Sequence, residues 1–137
     1  MESAQDRQRG RPADDDGRLV AAGAYGALLL LGVGEGLIGS FQFSRAVGPV
    51  PIAALAFDLL ILLTCVAGAW GMRRTLGGLM PAVGWFAAAF VMAMGTSGGS
   101  IVISNTGPGK WFLLGGTACA VAGVLAGFVM WSRKTSR

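Results

Sequence analysis

The sequence predicts an all-α protein, a four-helix transmembrane bundle with both termini in the cytoplasm. Three observations support this prediction. Hydrophobic residues make up 53% of the 137 residues and charged residues only 13%, whereas a typical soluble domain has about 25% charged residues. The apolar residues are concentrated in four long runs. The basic residues lie between and outside these runs, and they are strongly biased towards one side of the membrane.

The four apolar runs are long enough to cross a bilayer as helices. The first holds 23 residues, and an α-helix of that length measures about 34 Å, against about 30 Å for the hydrocarbon core. The third run contains Pro81, which is tolerated in the first turn of a helix because its missing N–H has no partner there. The expected transmembrane helices are residues 19–41, 50–72, 79–95 and 111–131.

The two ends of the chain are polar. Residues 1–18 mix charges of both signs and offer no apolar face, so we expect a disordered cytoplasmic tail. A metal site at the three aspartates 14–16 is the less favoured interpretation. A solvated tail whose last aspartate caps the first helix is preferred, and we predict no metal and no cofactor. Residues 132–137 form a short basic cytoplasmic tail. A cleaved signal peptide is disfavoured, because the first apolar run is too long and lacks a clear cleavage site.

The arginine and lysine residues predict the orientation. Nine of the eleven lie in the N-terminal tail, the connection between the second and third runs, and the C-terminal tail, whereas only two lie in the other connections. Basic residues are retained on the cytoplasmic side of membrane proteins. We therefore expect a plasma-membrane protein with both termini inside the cell. The net charge of +4 is interpreted as a topology signal and not as a sign of nucleic-acid binding.

Small residues indicate how the helices pack. Lipid provides no hydrophobic drive between helices, so the close approach of small residues does much of that work. Helical spacing places such residues on one stripe of the first helix and one of the fourth, which predicts packing grooves on both. A homo-oligomer or a complex with another membrane protein is expected to form through these grooves. The residues are Gly32, Gly36 and Gly39 in the first helix and Gly115, Cys119, Gly123 and Gly127 in the fourth.

Two acidic residues inside the apolar runs are the candidate functional residues. Glu35 and Asp58 each lie about eight residues, or roughly 12 Å, from the outer end of their helices. Consecutive helices run antiparallel, so we expect the two acids at similar depth. No basic residue lies inside any of the four runs, although a charge at mid-membrane costs about 3 kcal/mol on insertion scales.

Two interpretations of these acids remain open. In the first, they share a proton or bind a cation from the outer side, because two nearby carboxylates in a low dielectric cannot both ionise cheaply. In the second, each is protonated or hydrogen-bonded and acts as polar glue between helices.

The composition argues against an enzyme. The chain has no histidine, which is the commonest general base, and it has no nucleophile paired with a base and no soluble region for a site. Cys65 and Cys119 are expected about 10 Å apart in depth, too far for a disulfide. The leading hypothesis is a non-enzymatic membrane protein that serves as an assembly or accessory subunit. The alternative is a small proton- or cation-coupled transporter or channel that uses Glu35 and Asp58.

One stretch carries a recognisable pattern. It begins with Arg-Arg-x-x-Gly-Gly-x-x-Pro-Ala-Val-Gly-Trp at residues 73–85 and continues through an apolar helix and a Gly/Ser loop with Ile-Val-Ile. It ends with Leu-Leu-Gly-Gly at residues 113–116. This stretch resembles a group of small four-helix actinobacterial integral membrane proteins. The resemblance implies the same architecture and a bacterial origin, and it assigns no site. Small multidrug resistance transporters also carry a Glu in their first helix, but only the helix number matches, and we do not carry over their activity.

Overall fold

The structure, a computed structural model, describes residues 12–42, 50–94 and 107–135. Within these residues the chain forms four α-helices, each long and apolar enough to cross a membrane. They are α1 (Pro12–Gln42), α2 (Ile52–Met72), α3 (Thr75–Met94) and α4 (Gly107–Thr135). The predicted all-α, four-helix architecture is therefore confirmed.

The first helix is longer than the sequence predicts. α1 begins at Pro12 and not at Leu19, so residues 12–18 are helical, and the expectation of a disordered tail is wrong for this part of it. Proline is favoured at the first helical position because its ring presets the backbone angle. Asp15 and Asp16 fall near the helix N-terminus, where carboxylates interact favourably with the helix dipole. Residues 1–11 lie outside the described part of the chain.

The third and fourth helices also extend past the apolar runs. α3 begins at Thr75, so Pro81 lies inside the helix and not in its first turn. α4 runs from Gly107 to Thr135, which includes four residues of the expected outer connection and most of the expected basic tail. The remainder of that connection, residues 96–106, lies outside the described part, as does residue 95 at the end of the third apolar run. Hydropathy marks the part of a helix that lies in lipid, and it does not mark where the hydrogen-bonded helix ends.

The helices alternate in direction, and each outer helix packs mainly on the helix parallel to it. α2 and α3 form an antiparallel central pair, with α1 mainly against α3 and α4 mainly against α2. The two residues Arg73 and Arg74 join the central pair. Arg73 ends α2 in the left-handed conformation, with φ 50° and ψ 33°, and donates its N–H to the carbonyl of Trp70 at 3.3 Å.

Glycines allow the backbones to approach closely. At several glycines the direction that a Cβ would take points at a carbonyl oxygen of the neighbouring helix. A Cα–H directed at a carbonyl oxygen is a weak hydrogen bond that recurs at helix–helix interfaces, worth about 0.5–1 kcal/mol. On the central pair, Gly68 and Gly77 each point at the other's carbonyl. Between α1 and α3 the contacts join Gly32 to Pro81, Gly36 to Trp85 and Gly84 to Leu29.

The small-residue stripes of α1 and α4 therefore face helices of the same chain. On α4, Gly123 lies against Cys65 and Gly127 against Ala69. On α1, Gly39 lies against the ring of Phe112. The surfaces that the sequence assigns to oligomer contacts are occupied by internal packing. Cys119 is partly exposed, and it and Cys65 are free thiols.

Candidate intramembrane acid site

Glu35 lies on the glycine stripe of α1 and is only 6% exposed. Its Oε1 accepts a hydrogen bond of 2.5 Å from the hydroxyl of Thr64 on α2. The same hydroxyl is 2.9 Å from the carbonyl of Leu60. A threonine hydroxyl has one proton, so it donates to only one of these acceptors at a time.

This geometry accommodates Glu35 in either protonation state. An ionised Glu35 accepts the Thr64 proton. A protonated Glu35 donates to the Thr64 oxygen, and Thr64 then donates to Leu60. The second carboxyl oxygen of Glu35 is buried and has no hydrogen-bond partner among the described residues, so the threonine satisfies half of the group.

Asp58 lies on α2 and is 3% exposed. Its carboxylate enters a notch in α4 that exists because Gly115 and Gly116 have no side chains. A Cβ on Gly115 would overlap Oδ2, and a Cβ on Gly116 would lie 3.1 Å from Oδ1. Neither oxygen has a hydrogen-bond partner within the described ranges. Among the described residues, the notch in α4 therefore accommodates the shape of the Asp58 carboxylate but offers it no hydrogen bond.

Trp85 of α3 reaches the same notch. It is 1% exposed, and its Cη2 lies 2.5 Å from the position that a Cβ would take on Gly116. Its ring packs against Phe86 at 5.3 Å and Phe112 at 5.5 Å between centroids. These contacts fix the ring, but its indole N–H finds no acceptor among the described residues. The ring of Trp85 and the carboxylate of Asp58 therefore meet at Gly116, and each side chain carries a polar group without a partner among the described residues.

The two acids do not form a direct pair. Thr64, and not Asp58, is the hydrogen-bond partner of Glu35, and the structure shows no hydrogen bond between the two carboxyl groups in the part of the chain it describes. Trp85 contacts the surroundings of both acids. Its backbone carbonyl faces Gly36, the residue after Glu35, and its ring faces Gly116, which Asp58 also approaches. Trp85 is a candidate site residue that was not predicted from the sequence. The available signal was its position inside an apolar run, whereas Trp70, Trp111 and Trp131 fall at the ends of their runs.

The site can hold protons and hydrogen-bonding molecules more readily than metal ions. Within the described ranges, no group of three or more acidic, cysteine or histidine residues could hold a metal. No arginine or lysine lies inside any of the four apolar runs. An ionised carboxylate without a partner is very costly in an apolar interior. The chemistry that these residues support is proton binding and hydrogen bonding.

Comparison of the chain with known protein families, with curated proteins and with solved structures finds no match. The resemblance to small actinobacterial membrane proteins therefore stays a prediction. What Glu35, Asp58 and Trp85 do has to be argued from their own geometry.

Proposed function

We propose that this chain is a non-enzymatic, multi-pass protein of the bacterial plasma membrane that binds a proton or small cation at Glu35 and Asp58, as part of a small ion-coupled transporter or channel. One observation carries the proposal. Three of the four carboxyl oxygens of these residues are buried without a hydrogen-bond partner among the described residues. Unsatisfied buried acceptors destabilise a fold by about 1–3 kcal/mol each. Ionisable residues in this setting mark proton and ion pathways in membrane proteins.

The orientation is part of the same proposal. With four crossings, both termini would lie on the same side of the membrane. The nine-to-two distribution of basic residues favours the cytoplasm as that side. The connection at Arg73 and Arg74 would then be cytoplasmic, and the N-terminal end of α4 would face outwards. Asp58 lies beside Gly115, near that outer end, so its ion would exchange with the outer side.

Proton flux in liposomes tests the proposal. The purified protein is reconstituted in vesicles that contain a pH-sensitive dye, and a pH gradient is imposed. We expect the wild type to dissipate the gradient faster than empty vesicles, and Glu35→Gln and Asp58→Asn to abolish the difference. Thr117→Val is the matched control, because the Thr117 hydroxyl also lies within a helix but bonds the carbonyl of Leu113 in the same helix.

Circular dichroism and gel filtration verify that each variant is folded. The proposal is refuted if wild-type vesicles behave like empty ones under both proton and monovalent-cation gradients. It is equally refuted if the double acid variant retains full flux.

A second candidate function is an assembly or accessory subunit, and one surface favours it. A groove of about 590 Å³ lies between α1 and α2, the two neighbouring helices that pack least extensively. Its walls are apolar and mostly small, and include Ala24, Ala27, Leu31, Leu63, Ala67 and Gly71. A second copy in the same orientation is the favoured occupant, because a two-fold axis along the membrane normal would set two such grooves face to face.

Bulky substitutions in the groove test this candidate. Ala27→Phe and Ala67→Phe would fill it, whereas Ala87→Phe adds the same bulk at an exposed position of α3 outside the groove. We expect native mass spectrometry in mild detergent to show a dimer for the wild type and for Ala87→Phe, and a monomer for the groove variants. A monomeric wild type would refute a dimer through this surface.

A further inference from the structure

We propose that Asp58 and Trp85 form a single binding site for one proton together with one water-sized hydrogen-bonding molecule, reached through a recess over Gly115. This inference rests on the proposed function and deepens it, because it names the atoms that hold the proton and the side from which the proton enters.

Trp85 and Asp58 are chemically complementary. The Trp85 indole can only donate, and an ionised Asp58 can only accept. Both side chains are almost completely buried, at 1% and 3% exposure, and both are unsatisfied within the described ranges. A water molecule accepts from the indole N–H and donates to a carboxyl oxygen, so one molecule satisfies both groups. When Asp58 is protonated, its O–H donates to the water oxygen and replaces the hydrogen bond that the water donated to that carboxyl oxygen.

The two side chains also lie next to each other. Cη2 of Trp85 lies 2.5 Å and Oδ1 of Asp58 lies 3.1 Å from the same point, the Cβ position of Gly116. The ring atom nearest to that point is Cζ2, which is two bonds from the indole nitrogen. The edge of the ring that lies at Gly116 is therefore the edge beside the N–H, and a molecule held between the N–H and the carboxylate would lie along it.

The carboxylate of Asp58 lies close to a recess in the surface of α4. A recess of about 470 Å³ lies on the N-terminal part of α4 and is lined by Lys110, Trp111, Leu114, Gly115 and Ala118. Gly115 also contacts the Oδ2 of Asp58. Gly115, which has no side chain, therefore lies between the recess and the Asp58 carboxylate.

Few other groups can titrate near Asp58. On α4, Cys119 lies one helical turn after Gly115, the residue that contacts Asp58, and Lys110 lies on the same helix at the recess. α3 carries no titratable side chain. α1 contributes Glu35, which bonds Thr64, and α2 itself contributes Cys65. A pH-dependent signal at Trp85 can therefore be assigned with a small set of variants.

The test uses Trp85 as its own reporter. Trp70, Trp111 and Trp131 are replaced by phenylalanine in the full chain, and the Trp85 emission is followed against pH in liposomes. We expect a one-proton titration that persists in Glu35→Gln and Cys119→Ala and is lost in Asp58→Asn. An emission that is independent of pH, or that still titrates in Asp58→Asn, overturns the inference.

A second measurement leaves all four tryptophans in place. Infrared difference spectroscopy follows the carbonyl band of protonated Asp58, which we expect to disappear in Asp58→Asn and to shift in frequency in Trp85→Phe, where the N–H is lost and the aromatic ring is kept. Exchange of the Asp58 proton into D₂O should be slower in Ala118→Phe, which fills the recess, than in Ala122→Phe, which adds the same bulk on an exposed part of α4. Equal exchange rates would refute the access route.

The outcomes separate this inference from the proposed function. Flux that depends on Asp58, with no titration at Trp85, would refute the site and leave the proposed function standing. Titration of Trp85 by Asp58 without any flux would support the site and refute ion coupling.

Discussion

The carboxylate of Asp58 on α2 lies directly against Gly115 on α4, so close that position 115 has no room for a side chain. In the sequence these two residues are separate features. Asp58 is an acid in the second apolar run, and Gly115 belongs to the small-residue stripe of the fourth. In the structure each explains the other. The small-residue stripe lets α4 approach α2 closely, and the Asp58 carboxylate occupies the space that a side chain at position 115 would fill.

Gly115→Ala should therefore destabilise the protein. The added methyl group overlaps Oδ2 of Asp58, and we expect a loss of about 1–3 kcal/mol in the free energy of unfolding, as for other overpacked sites. Chemical unfolding in detergent micelles measures it. The control is Gly26→Ala, where nothing lies within 4 Å of the new methyl group. That variant should be neutral or slightly more stable, because alanine favours a helix over glycine. Equal losses in the two variants would contradict the contact.

Two glycines on α1 provide a closely matched comparison. Gly32 faces the carbonyl of Pro81, whereas two residues later Gly34 has nothing within 4 Å. We expect Gly32→Ala to separate α1 from α3 and to cost about 1–3 kcal/mol of stability. Gly34→Ala should leave stability unchanged or raise it by less than about 1 kcal/mol. Thermal unfolding by circular dichroism distinguishes the two, and a similar midpoint for both variants would contradict the α1–α3 interface.

The hydrogen bond between Thr64 and Glu35 can be tested in the same way. Thr64→Val keeps the shape of the side chain but removes the hydroxyl, which leaves both Glu35 oxygens unpartnered. We expect a loss of about 1–3 kcal/mol, and most of it should be restored in Thr64→Ser, which retains a hydroxyl. If Thr64→Val is as stable as the wild type in chemical unfolding, the hydroxyl does not satisfy Glu35.

Hydropathy and helical spacing were sufficient to predict the four helices, but they did not predict which helix each one packs against. The four apolar runs and the inward placement of Glu35 and Asp58 follow from simple transfer energies. Which helix a small-residue stripe faces depends on the packing of all four helices at once. For this reason the α1 and α4 stripes were assigned to oligomer contacts, whereas the structure shows Gly32 against α3 and Gly123 against α2.

The components of the site were predictable to different degrees. An acid in an apolar run is conspicuous in one sequence. Trp85 is not, because a tryptophan in such a run is most simply an apolar side chain. Only the tertiary structure shows that its N–H has no partner among the described residues and that its ring lies beside Asp58 at Gly116. Thr64 was missed for the same reason, since a hydroxyl inside a helix commonly bonds its own backbone, as this one also does with Leu60.

The orientation is the last prediction, and cysteine accessibility tests it. In a chain with Cys65 and Cys119 replaced by alanine, single cysteines are introduced at Gly107, Leu76 and Ser132, which are exposed near helix ends and whose replacement leaves every charge in place. If basic residues hold the termini inside, a membrane-impermeant maleimide should label Gly107→Cys in intact cells. Leu76→Cys and Ser132→Cys should be labelled only after permeabilisation, because α2–α3 and the end of α4 would face the cytoplasm. The reverse pattern would place Asp58 nearer the inner side, and the proton would then enter the recess over Gly115 from the cytoplasm.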